Sequence, residues 1–144
     1  YDFLLSSDVF EHTPPPARKA FEGAFAVLRP GGLLVMTVPF ERNHETIEHY
    51  PDLRAYGVAQ VEDRHLVVAR EADGGYRLIT DPVFHGGPGF TLEMRMFSRQ
   101  GILDELAAAG FVNVRVRECA APAWGVFPEH LNGLPVLARK PMTN

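Results

Sequence analysis

Asp8, Glu11 and His12 stand at i, i+3 and i+4, so a single helical turn would put two carboxylates and an imidazole on one face. Such a trio can do two kinds of chemistry. It could hold a divalent ion through oxygen and nitrogen donors. Alternatively, Glu11 and His12 hydrogen-bond neighbouring loops and orient the turn. The second reading is the expected one, with no metal, and it leaves His12 as the candidate catalytic residue, a base near neutral pH. Ser6 and Ser7 lie directly before the trio, at the polar end of the apolar run Phe3-Leu4-Leu5. His44, His49 and His85 occupy a later segment from which an imidazole could approach a bound substrate. Phe40 and Phe90 flank that segment, and Trp124 lies in a late loop. Aromatic side chains of this kind wall small-molecule pockets, and Phe40 and His85 are the candidate substrate-binding residues.

The elements that must position these groups are legible around them. Phe3 to Ser7 reads as a parallel strand with helices on both faces. Ala17, Ala20, Phe21, Ala24, Phe25 and Leu28 then fall on one stripe at helical period. That predicts a helix over 16–29 with Thr13 as N-cap and the prolines at 14–16 in its first turn. Pro30-Gly31-Gly32 stops it, and Leu33 to Val38 is the next buried strand, completing a right-handed βαβ unit. From residue 41 to 90 no helical stripe is sustained, and four of the six histidines fall there. Leu66–Ala69 and Tyr76–Ile79 flank Asp73-Gly74-Gly75, a hairpin signal. Ser98 is the expected N-cap of a second helix with Ile102, Leu103, Leu106 and Ala107 inward and Gly110 at its end. Val112–Arg117 alternates apolar with polar and is expected to pair antiparallel with Pro135–Arg139.

The order of Tyr1-Asp-Phe-Leu-Leu-Ser-Ser7, Asp8-Val-Phe-Glu-His12, a helix, and Leu28-Arg-Pro-Gly-Gly-Leu-Leu-Val-Met-Thr-Val-Pro39 resembles the second half of a class I S-adenosylmethionine-dependent methyltransferase of the small-molecule, type 11-like group. Phe97-Ser98 through Ala109-Gly110-Phe111 is similar to that family's usual final helix. The resemblance covers residues 1–40 and 96–140. It implies an α/β, Rossmann-like methyltransferase sheet, here its strands four to seven, with residues 41–90 as a hairpin-containing insertion or lid. The whole of 1–144 would be a partial methyltransferase domain without the Gly-rich cofactor loop. It further implies S-adenosylmethionine as cofactor, contacted at Ser6, Ser7, Asp8 and Val9, where ligands gather beyond the carboxyl ends of parallel strands. The implied reaction is methyl transfer to an O or N nucleophile of a small molecule.

Composition bounds the rest. A formal net charge of −4 over 144 residues gives no basic face for nucleic acid. The single cysteine, Cys119, excludes an intrachain disulfide and suits a reducing cytoplasm. No apolar run reaches the roughly 20 residues of a membrane span. No tyrosine has a lysine four residues later, which disfavours a short-chain reductase. A half-sheet would leave apolar surface uncovered, so either a homodimer or further residues of a longer chain are expected to cover it. The rival reading is a non-catalytic half-fold, a partner-dependent scaffold or domain-swapped dimer.

Overall fold

The computed structural model describes residues 1–41, 45–118, 123 and 133–142. Along the chain lie β1 (Phe3–Ser7), a 3-10 turn (Phe10–His12), α1 (Arg18–Val27), β2 (Leu33–Thr37), β3 (Phe40–Glu41) and β4 (Ile47–Glu48). Next come β5 (Leu53–Val61), β6 (Arg64–Glu71), β7 (Tyr76–Ile79), β8 (Phe84–His85), β9 (Thr91–Leu92) and β10 (Arg95–Ser98). The last elements are α2 (Arg99–Ala108), β11 (Val112–Val116) and β12 (Val136–Arg139).

The principal sheet has the order β1-β2-β12-β11. β1 and β2 are parallel, with Phe3 opposite Leu33 and Ser7 opposite Thr37, so both strands end at the same edge. β12 lies antiparallel between β2 and β11. The expected parallel pair and the expected antiparallel pair are therefore both present. An Arg117 N–H donated to the Pro135 carbonyl at 2.8 Å extends the β11–β12 ladder by one rung.

Helices α1 and α2 pack on one face of this sheet. Phe21, Leu28, Leu34, Met36, Val38, Phe97, Ile102, Leu106 and Val136 form the core between the layers. Leu103 is only half-buried and Ala107 is exposed, so the inward stripe of α2 is narrower than its spacing suggested. On the opposite face Phe3 and Leu5 stay 51% and 67% exposed. The expectation of helices on both faces of β1 thus holds for one face of the described chain.

Three local expectations change. Thr13 is not the cap of α1: its hydroxyl donates to the Phe10 carbonyl at 2.8 Å and closes the 3-10 turn. The prolines at 14–16 precede the helix, whose N-cap is Ala17, without a side-chain cap. Asp8 adopts φ +50° and so stands outside any helical turn, and it shares no helical face with Glu11 and His12. Ser98 does cap α2, accepting the Gly101 N–H at 2.9 Å. Gly110, at φ +96°, ends that helix while Phe111 N–H bonds the Leu106 carbonyl, a left-handed C-terminal cap.

The segment between β3 and β10 builds a second, smaller core from Tyr50, Leu53, Val67, Ala69, Ile79, Leu92 and Met94. Its main part is the antiparallel sheet β5-β6-β7. β6 and β7 are joined across Asp73-Gly74-Gly75, where the Asp73 carboxylate accepts the Gly75 N–H at 2.8 Å. No helix of the described residues is long and apolar enough to cross a membrane.

Candidate functional site

Two polar constellations follow β1. The first lies at the carboxyl edge shared by β1 and β2. The Asp8 N–H donates to the Thr37 carbonyl at 2.9 Å, which carries the parallel β1–β2 ladder one rung past the strand end. The Ser7 hydroxyl lies 2.9 Å from the Thr37 hydroxyl, and it donates to the Asp8 carboxylate at 3.2 Å. Ser6 is half-buried, whereas Ser7, Asp8 and Val9 are exposed. The edge therefore presents hydroxyl and carboxylate groups to solvent at the place where open sheets of this kind receive ligands. Thr37 belongs to this cluster and was missed from the sequence, because a threonine inside a strand gives no signal until the register sets it opposite Ser7.

The second constellation is buried. The 3-10 turn points Glu11 inward, 1% exposed. The strap from Leu92 to Arg95 fastens the turn from 80 residues away in sequence. The Leu92 carbonyl lies 3.0 Å from His12 Nδ1, and the Met94 N–H donates to the Glu11 carbonyl at 2.9 Å. Arg95, fully buried, donates to the Phe10 carbonyl at 2.8 Å and to Glu48 at 2.6 Å. A carbonyl can only accept, so His12 Nδ1 carries the proton. The nitrogen left available to chemistry is Nε2, 3.6 Å from Glu11 Oε1. His85 Nδ1 approaches the same oxygen at 3.7 Å. The two carboxylate oxygens of Glu11 and His85 Nδ1 have no hydrogen-bond partner among the described residues. Burial pushes the Glu11 carboxyl above the usual glutamate range, outweighing the neighbouring imidazoles that pull it down.

The structure thus regroups the sequence candidates. Asp8 leaves the trio for Ser7 and Thr37, and His85 joins Glu11 and His12 in its place. Nothing in local spacing could reveal that His85, 73 positions after His12, would return to it. Phe40 is 6% exposed and packs in the main core. Phe90 is 73% exposed. The His49 ring is held 3.1 Å from Glu93, and its backbone N–H bonds the Met94 carbonyl. His44 and Trp124 lie outside the described residues. Arg95 and Glu48, which anchor the turn, were also missed. The trace they leave in sequence is an arginine within Leu92-Glu-Met-Arg-Met-Phe97, where apolar and charged residues alternate.

No family model and no curated protein sequence matches the chain. Solved structures do. One is the Burkholderia thailandensis 1,6-didemethyltoxoflavin-N1-methyltransferase, crystallised with 1,6-didemethyltoxoflavin and S-adenosylhomocysteine. It is 19% identical at TM-score 0.50, covering 97% of this chain and 44% of that one. An S-adenosylmethionine-dependent methyltransferase from Mesorhizobium loti aligns at 18% identity and TM-score 0.51, covering 96% of this chain and 62% of the other. A glycopeptide N-methyltransferase complexed with S-adenosylhomocysteine aligns at 14% identity and TM-score 0.51, over 97% and 54%. The chain shares the fold of S-adenosylmethionine-dependent methyltransferases. It spans about half the length of these neighbours. At such identities the likeness is one of fold.

Proposed function

We propose that the protein containing these residues transfers the methyl group of S-adenosylmethionine to an O or N nucleophile of a small molecule. The observation that carries the reading is the common carboxyl edge of β1 and β2, where Ser7, Asp8 and Thr37 form a solvent-facing polar cluster within a methyltransferase-like sheet. In this reading the four-stranded sheet is strands four to seven of the larger fold, and residues 41–90 are an insertion into it. Ser6, Ser7, Asp8 and Val9 line one wall of the cofactor site. The sulfonium of the cofactor makes its methyl group electrophilic, so the protein's task is to hold a nucleophile in line with it. His12 Nε2 is the group that serves the nucleophile, its ring fixed by the Leu92 carbonyl. His85 stands at the same place from the opposite strand pair, β8–β9, on the substrate side. Phe40 supports this wall from within the core.

The test is methyl transfer by the full-length protein. Asp8→Ala and His12→Ala should each lower turnover by roughly 10²-fold or more, the scale of a lost acid–base or positioning group. His49→Ala should lower it by less. Two variants with unimpaired turnover would overturn the site assignment.

A further inference from the structure

Glu11, His12 and His85 each bring one ligand atom to a small volume, all within 4.8 Å of one another. They come from two distant parts of the chain, the turn after β1 and the strand β8. Convergence alone would mean little, because imidazole and carboxylate groups often meet in hydrogen bonds. Here they do not. The contacts of 3.6 and 3.7 Å are too long for hydrogen bonds. His12 spends its one proton on the Leu92 carbonyl, so what it turns toward Glu11 is a lone pair. Glu11 is 1% exposed and both of its oxygens lack a hydrogen-bond partner among the described residues. A buried carboxylate left so is destabilising unless a cation meets it.

We propose that these three side chains bind a divalent transition-metal ion. Ligands each about 2.1 Å from a tetrahedral ion stand about 3.4 Å apart, close to the 3.6 and 3.7 Å that separate Glu11 Oε1 from the two imidazoles. Two imidazoles and one carboxylate suit zinc or a neighbouring first-row ion, whereas magnesium and calcium want an all-oxygen shell. The Leu92 carbonyl supplies the outer contact that metal-bound histidines need: it fixes the tautomer and ring angle of His12. Three protein ligands leave a fourth position open to water or substrate. With the ion bound, His12 Nε2 serves the nucleophile through the metal rather than by accepting its proton. The site stands on its own geometry and does not depend on the methyl-transfer reading.

Equilibrium dialysis of the full chain against Zn²⁺ alone tests this, with the visible spectrum of bound Co²⁺ as a report on coordination. The expected result is one ion per chain, a melting temperature that rises with added Zn²⁺, and a Co²⁺ spectrum typical of nitrogen and oxygen ligands in a four-coordinate site. Replacing His85, half-buried in a short strand, by Ala should weaken binding more than about tenfold, since even outer-shell losses cost 10- to 100-fold. Glu11→Gln should do the same, and His49→Ala should leave binding unchanged. Because His85→Ala leaves the core untouched, a folding defect in the Glu11 variant would not obscure the outcome. No stoichiometric binding by the parent chain, or binding that survives His85→Ala, would overturn the proposal.

Discussion

Arg95 is completely enclosed, yet its guanidinium reaches Glu48, the Phe10 carbonyl and the Thr13 hydroxyl, which makes it the fastener of the turn that carries Glu11 and His12. Truncating it strands buried acceptors and one carboxylate. Arg95→Ala should therefore cost about 3 kcal/mol in denaturant unfolding, the lower end for a broken buried pair, because Glu48 keeps partial access to water. Arg64→Ala, which loses an exposed contact to Asp81, should change stability by less than about 1 kcal/mol. Glu11 gives a second check. In chelator-treated protein, Glu11→Gln should raise the melting temperature at neutral pH, since it removes a buried carboxylate that has no hydrogen-bond partner among the described residues. The carboxyl is held above the usual 4.5, so the native state binds its proton more tightly than the unfolded chain. Its penalty is accordingly absent below about pH 4.5 and grows as pH rises through the native value. The advantage of glutamine should follow that course, and a melting-temperature difference independent of pH would contradict it. At this scale the sequence named His12, Glu11 and His85 but grouped Asp8 with the first two. The error lay in assuming helical φ and ψ for a residue that sits at φ +50°.

At the scale of elements, the strongly patterned parts were the legible ones. The α1 stripe, the Pro30-Gly31-Gly32 stop, the Ser98 cap and the alternation of 112–116 each have a local physical cause, and each appears where its cause puts it. The start of α1 was misplaced because Thr13 had two possible uses. The 3-10 turn took its hydroxyl, and α1 is anchored at its other end instead. There Lys140 Nζ donates to the Phe25 and Leu28 carbonyls at 2.8 Å each, satisfying helix-end acceptors from β12's far side. Two substitutions in α2 test the cap logic. Ser98→Ala should cost about 1 kcal/mol, the usual value for a lost N-cap. Gly110→Ala should cost more than about 1 kcal/mol, because φ is +96° and an added Cβ would stand 3.2 Å from the Phe25 ring. Thermal or urea unfolding of both variants gives the comparison, and a neutral Gly110→Ala would contradict the described cap. Short strands such as β3, β4, β8 and β9 left no readable period, because two residues cannot display one.

For the molecule as a whole, the decisive asymmetry is between the two faces of the β1-β2-β12-β11 sheet. One is sealed by α1 and α2, while the other leaves Phe3 and Leu5 in solvent in the described chain. Apolar strand faces of this kind drive association. Light scattering of the isolated chain should therefore show self-association, reduced by Leu5→Glu; a monodisperse monomer at high concentration would contradict it. The methyl-transfer proposal rests on the shared carboxyl edge of β1 and β2, since a likeness at 14–19% identity is one of fold. Calorimetric titration of the full-length protein with S-adenosylhomocysteine tests it most directly. The account predicts one saturable site whose affinity falls at least about tenfold in Asp8→Ala and is kept in Arg64→Ala. Absence of binding, or binding indifferent to Asp8, would contradict it.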